Sequence, residues 1–121
     1  MHNSVTAIDY IEAKFPHLRE ALRDEDWDGL LHLQMGVFAD WAQKSIDAGH
    51  QEEWNQITNV FMDLWRDCTA DVINALNVSF LEHLNFSDSK KQRSWAYAAM
   101  PEEMRKAWDE MEAYNRKLHG G

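Results

Sequence analysis

The 121-residue chain is poor in cysteine, proline, glycine and long apolar runs. Its single cysteine, Cys68, excludes an intramolecular disulfide and is typical of a reducing compartment. No apolar stretch approaches the roughly 20 residues of a membrane span, and no basic segment followed by an apolar run marks a leader, so we expect a cytoplasmic protein. With two prolines and five glycines, little in the sequence interrupts helices.

Positive charge is also scarce, because 12 Lys and Arg face 21 Asp and Glu, which gives a net charge of −9. Through Ser89, 16 acidic side chains oppose five basic ones, a net of −11, whereas the residues from Lys90 onward carry a net of +2. Duplex DNA and anionic membranes favour cationic surfaces, so we expect neither nucleic acid nor membrane as a partner. The acidic balance is compatible with a basic protein partner, or simply with solubility.

Apolar residues recur at helical spacing almost throughout the chain. We therefore predict an all-α, single-domain bundle of five to six helices over residues 1–121, with the stacking of helix pairs seen in HEAT repeats left open. Leu30 and Leu33 are predicted to face inward. For the helix predicted over residues 51–69, a 3-4-3-4 spacing predicts a buried face that consists of Trp54, Ile57, Phe61, Leu64 and Cys68. The predicted helices cover about residues 8–22 with a break at Pro16, 29–48, 51–69, 72–84, 95–99 and 101–118. The fourth has the widest apolar face and is predicted to be the central one.

No pattern of catalytic or metal-binding residues stands out. His83 is predicted to lie on the apolar side of the fourth helix beside Glu82, as a general base would, but a buried structural histidine is the more common arrangement. Cys68 is predicted to be a small core side chain. Paired histidines, phosphate loops and nucleophile elbows are missing, so we expect no metal, no cofactor and no enzymatic activity.

One stretch interleaves basic and aromatic residues, as single-strand binders do. It runs from Lys90 to Tyr97 and contains Trp95, which is predicted to be core, and Tyr97, which is predicted to be exposed. Its cations are too few for strong backbone binding, so nucleic acid stays an unfavoured alternative.

Acidic residues concentrate at two predicted inter-helix connections. The first group, here called the acidic turn, contains an embedded tryptophan and consists of Glu20, Asp24, Glu25, Asp26, Trp27 and Asp28. The second acidic cluster consists of Asp40, Asp47, Glu52 and Glu53. Both are typical of solvated helix ends, and equally of a surface that steers and anchors a cationic protein. Whether they share a face depends on the fold.

A longer block of sequence carries a resemblance. The segment from Asp71 to Leu84, with Trp95 to Pro101 downstream, resembles small, uncharacterised α-helical bacterial proteins, and these look like the immunity or orphan proteins that accompany interbacterial toxins. The apolar pattern of the first segment is also similar to the second helix of a HEAT-like repeat. The resemblance implies a helical binding protein.

Together these features predict an immunity protein that occludes the basic groove of a cognate nuclease-type toxin, with the acidic turn and the second acidic cluster as contact residues. The first alternative is a helical adaptor or regulator, including a homodimer through exposed aromatics such as Trp27 or Tyr97. The second alternative is an enzyme centred on His83 and Glu82.

Overall fold

Proline and glycine set helix ends in the first half of the chain, as seen in a computed structural model that describes residues 1–87 and 92–118. Helix α1 (Ser4–Lys14) ends just before Pro16, which begins a short 3-10 turn that leads into α2 (Arg19–Leu22). Gly49 follows α3 (Leu31–Asp47) with a φ of +73°, a conformation that glycine adopts without strain. The predicted break and the predicted stop are both confirmed.

The described residues of the second half of the chain form α4 (Gln51–Arg66), α5 (Ala70–Ala75), a π-helix (Leu76–Phe80), a 3-10 turn (Leu81–His83), α6 (Ser94–Ala99) and α7 (Glu102–Leu118). The all-α prediction is confirmed, since residues 1–87 and 92–118 contain seven α-helices and no strand. One isolated parallel bridge joins His2 to Cys68 and holds the N-terminus against the connection between α4 and α5.

Aromatic side chains form the centre of the core. Phe80 of the π-helix stacks on Phe38 of α3 with ring centroids 4.7 Å apart, and on Phe61 of α4 at 5.5 Å. The spacing predicted for α4 is correct, because Trp54, Ile57, Phe61 and Leu64 are all fully buried. Burial of these large side chains supplies the main driving force for folding.

The predicted fourth helix is the element that differs most from expectation. It is not one continuous α-helix, because its α-helical part ends at Ala75 and gives way to π and then 3-10 geometry. A π-turn holds an extra residue per turn, so every residue beyond it is rotated relative to an α-helical wheel. His83 is consequently exposed and not on the apolar side. The third predicted helix also stops early, at Arg66, which leaves Cys68 outside it.

Candidate functional site

Asp24 builds the acidic turn between α2 and α3. Its side chain accepts a hydrogen bond from the Asp26 amide at 2.9 Å, and its carbonyl oxygen accepts from the amides of Trp27 and Asp28 at 3.0 and 2.8 Å. Aspartate side chains commonly organise turns in this way. The carboxylates of Glu25 and Asp26, which are exposed, then point away from a fixed backbone. The carboxylate of Asp24 is therefore structural, and Glu25 and Asp26 carry the accessible charge.

Trp27 holds the turn to the preceding helix. Its indole N–H donates to the backbone carbonyl of Ala21 at 2.7 Å, and the side chain is half-buried. Trp27 therefore has a structural role in addition to its expected role as an anchor for a partner, because most of its ring is already packed within its own chain.

Arg23 forms ion pairs with acidic residues from two parts of the chain. Its guanidinium contacts Asp9 at 2.6 Å and Glu12 at 3.0 Å, both on α1, and Asp28 of the acidic turn at 3.5 Å. The hydrogen bonds to Glu12 and then to Asp9 raise the pKa of Arg23 above its ordinary value. Sequence reasoning missed Asp9 and Glu12, because they join this surface only through tertiary packing.

Substituting Arg23 by methionine is expected to destabilise the domain by about 1 kcal/mol, since a partly exposed ion-pair network is lost while the aliphatic stem is kept. Urea unfolding followed by circular dichroism measures the effect. Arg19→Met is the control, because Arg19 is exposed and nearby and makes no ion pair within residues 1–87 and 92–118. Equal midpoints for the two variants would contradict the structural role of Arg23.

Two leucines beside the acidic turn face solvent, which corrects their predicted inward position. Leu30 is 51% exposed and Leu33 is 53% exposed. Leu30 occupies the N-cap position of α3, outside the first helical turn. The buried stripe of α3 is shifted along the sequence relative to the predicted one and consists of Gln34, Met35, Phe38, Ala39, Ala42, Ser45 and Ile46. Leu30 and Leu33, here called the leucine pair, are therefore free to contact a partner.

Most of the second acidic cluster (Asp47, Glu52 and Glu53) lies at the other end of α3, and Asp40 lies near the middle of that helix. That helix has 17 residues, so its ends are about 25 Å apart. Asp47 is bound by Arg93, with the guanidinium nitrogens 2.6 and 3.2 Å from the two carboxylate oxygens. Glu53 accepts hydrogen bonds from Ser45 and His50. Asp40 and Glu52 are exposed. The acidic turn and the second cluster thus do not form one continuous patch, and half of the second cluster serves internal contacts.

Cys68 is half-buried against the core. Burial, and then the negative charges of Asp67 and Asp71, raise the pKa of its thiol. Less thiolate is therefore present at neutral pH than in an ordinary cysteine.

We accordingly expect the Cys68 thiol of the folded chain to react with an aromatic disulfide reagent at least about tenfold more slowly than the same thiol in urea. Stopped-flow absorbance at neutral pH measures both rates. A folded-state rate equal to or above the unfolded one would contradict this description of the thiol.

His32 and His83 have different surroundings in the structure. His32 of α3 is within hydrogen-bonding distance of Ser79, with Nδ1 and Oγ 2.6 Å apart. His83 and Glu82 are both exposed, so the burial that motivated a catalytic role for His83 is absent. Within residues 1–87 and 92–118, no group of three or more His, Cys, Asp or Glu is arranged to hold a metal ion.

The basic and aromatic stretch is largely engaged in packing. Its first residues, 90–91, lie outside the described residues. Tyr97 is half-buried, which corrects its expected exposure, and its hydroxyl donates to Asp109 at 2.8 Å while its ring packs on Trp108 at 5.8 Å. Trp95 is half-buried against the core. A free row of stacking aromatics is therefore not formed by residues 92–97.

Comparison with known proteins gives one result. A family described as a domain of unknown function, DUF7674, matches residues 8–116. Searches of curated proteins and of solved structures gave no significant match. Over the described part of the chain, no helix is both long enough and apolar enough to cross a membrane.

Proposed function

Since the chain belongs to the DUF7674 family, whose description names no function, we propose from its surface that it is a protein-binding protein with a basic partner. The observation that supports this proposal is the leucine pair. Leu30 and Leu33 are each about half exposed and lie directly after the exposed acids of the acidic turn. An apolar centre with a charged margin is the usual composition of a protein–protein interface.

The two features of this surface would contribute differently to binding. Burial of two leucines removes apolar area from water and stabilises the complex once it has formed. Glu20, Glu25 and Asp26, with Asp9 added from α1, create a negative potential that accelerates the approach of a cationic partner. Arg23 offsets part of that charge but is itself held by three carboxylates. The surface therefore stays acidic.

The most specific form of the proposal is an immunity protein that acts in the cytosol. The binding surface of a nuclease-type toxin is basic because it holds phosphates, so an acidic surface with an apolar centre would occlude it. The resemblance to immunity proteins of interbacterial toxins supports this form. Fast capture, which charge steering provides, would matter for a protein that must intercept a toxin.

Affinity capture with three tagged baits tests the proposal in a lysate of the cell that produces the chain, followed by mass spectrometry. The baits are the wild-type chain, Glu25→Lys with Asp26→Lys, and Asp40→Lys with Glu52→Lys as a matched charge control at the second acidic cluster. We expect the wild type and the control to recover one basic protein in stoichiometric amount. The variant of the acidic turn should recover less than about a tenth of it.

Two results of the capture would overturn the proposal. One is equal recovery of a basic protein by all three baits, which would place binding elsewhere. The other is the recovery of no stoichiometric basic protein at low salt. Several weak partners in place of one tight partner would favour the adaptor function over immunity.

A further inference from the structure

Helix α7 carries an apolar stripe that the rest of the fold covers only in part. The N-terminal end of the stripe is buried at Met104, and Met111 is half-buried. Tyr114 and Leu118 are 63% and 62% exposed. These side chains lie on one helix face, because residues three and four positions apart are neighbours on a helix. Among residues 1–87 and 92–118, the rest of the fold therefore leaves most of Tyr114 and Leu118, in the last two turns of α7, open to solvent.

A groove of about 370 Å³ runs beside this face. Ala107, Met111 and Tyr114 line it from α7, and Trp65 and Val78 line it from the opposite side. Val78 belongs to the π-helix and is 42% exposed. The lining residues of the groove come from α4, the 76–83 segment and α7, and none of them belongs to the acidic turn. Its apolar residues are bordered by polar ones, namely Asn77, Glu82, Glu110 and Asn115, a composition that suits the apolar face and charged flanks of an amphipathic helix.

The charged residues beside the stripe in one copy of α7 are complementary to the same residues in a second, antiparallel copy. Ala107, Met111, Tyr114 and Leu118 follow the 4-3-4 spacing of a heptad repeat. Glu110 and Lys117 are one heptad apart and so lie on the same flank of the stripe. Both are exposed. One flank of α7 thus carries an acid followed by a base.

Antiparallel pairing of two such helices brings like flanks together, so Glu110 of each copy faces Lys117 of the other. The same register places Met111 opposite Tyr114 and Ala107 opposite Leu118, because the apolar layers and the flanking charges keep a fixed offset in a heptad. A single sequence therefore supplies both members of two ion pairs and both sides of the apolar layers. Self-complementarity of this kind characterises a two-fold symmetric contact.

We propose that the exposed half of α7 binds α7 of a second copy of this chain, antiparallel, and that the protein forms a two-fold symmetric dimer through this seam. The residues that would form this contact include none of the acidic turn and neither member of the leucine pair. The homodimer contacts expected at Trp27 and Tyr97 are less suited to this purpose, because both rings are half-buried within their own chain.

Charge-reversal variants along the seam test the proposal. Their dimer dissociation constants are measured by sedimentation equilibrium over a range of concentrations. Glu110→Lys and Lys117→Glu each convert two attractive contacts into two repulsive ones, so each is expected to raise the dimer dissociation constant about tenfold. The double variant restores opposite charges and is expected to return the constant to near its wild-type value. Arg116→Glu is the control, since it makes the same charge change one residue away, on the far face of the helix.

Tyr114→Ser provides a second, independent test. The side chain is mostly exposed within one chain, so the variant is expected to fold normally while its dimer dissociation constant rises at least about tenfold. A wild-type chain that is monomeric at all concentrations would overturn the proposal. So would single charge variants that dimerise like the wild type, or a double variant that fails to recover, which would assign the groove to a different protein.

Discussion

Replacement of Trp54 by alanine is expected to destabilise the domain by about 5 kcal/mol, close to the whole stability of many small domains. Trp54 is fully buried in α4, and its indole N–H donates to the carbonyl oxygen of Ala96 in α6 at 3.0 Å. The variant loses the transfer energy of the largest core side chain, leaves a cavity, and strands the Ala96 carbonyl without its donor. Urea unfolding followed by circular dichroism measures the loss.

Trp54→Phe is the matched control for this prediction. It keeps an aromatic ring in the core, including an edge contact with Phe86 like the present one at 6.1 Å, but removes the N–H donor. The expected cost of this variant is about 1–3 kcal/mol, from one lost hydrogen bond and a smaller cavity. A loss below about 2 kcal/mol for Trp54→Ala would contradict the description of Trp54 as the side chain that fixes α6 on α4.

Replacement of Leu30 and Leu33 together by serine is expected to weaken binding of the captured basic protein about 100-fold, with little change in the stability of the free chain. Two half-exposed leucines contribute to a complex but little to the isolated fold. The loss should appear in the dissociation rate, since apolar contacts act after the encounter. Glu25→Lys with Asp26→Lys should instead slow association and reduce its dependence on salt.

Biosensor kinetics with the purified partner separates these two effects. Val5→Ser is the control for the leucine pair, because Val5 is 64% exposed on α1 and lies outside the acidic turn. Unchanged affinity of the leucine variant would remove the apolar centre from the proposed interface. Unchanged association rates of the charge variant would remove the steering.

The helical fold could be predicted because, in a helix with one face toward the core, the buried apolar residues recur at helical spacing in the sequence. Helix α4 shows this most clearly, with Trp54 and Phe61 buried as expected. The same logic fails for the leucine pair, because an apolar side chain that is exposed looks the same in sequence as one that faces the core. It fails again at His83, since the π-helix before that residue cannot be read from spacing.

The acidic turn could be recognised from the sequence as a concentration of charge. The residues from other parts of the chain that join it in the folded protein could not. Arg23 brings Asp9 and Glu12 to it through contacts between α1 and α2, which local sequence does not encode. Likewise Asp47 pairs with Arg93, 46 residues along the chain. Charge patterns identify candidate acids, whereas tertiary packing decides which of them are available to a partner.

The central claim, that the acidic turn and the leucine pair bind a basic protein, is tested most directly by a footprint of the complex. Amide resonances of the isotopically labelled chain would be followed by NMR as the captured partner is added. We expect the perturbed amides to lie at residues 20–33 and at Asp9 to Glu12, with those around Gly49 unchanged. Perturbations confined to the groove beside α7, or to the second acidic cluster, would contradict the claim.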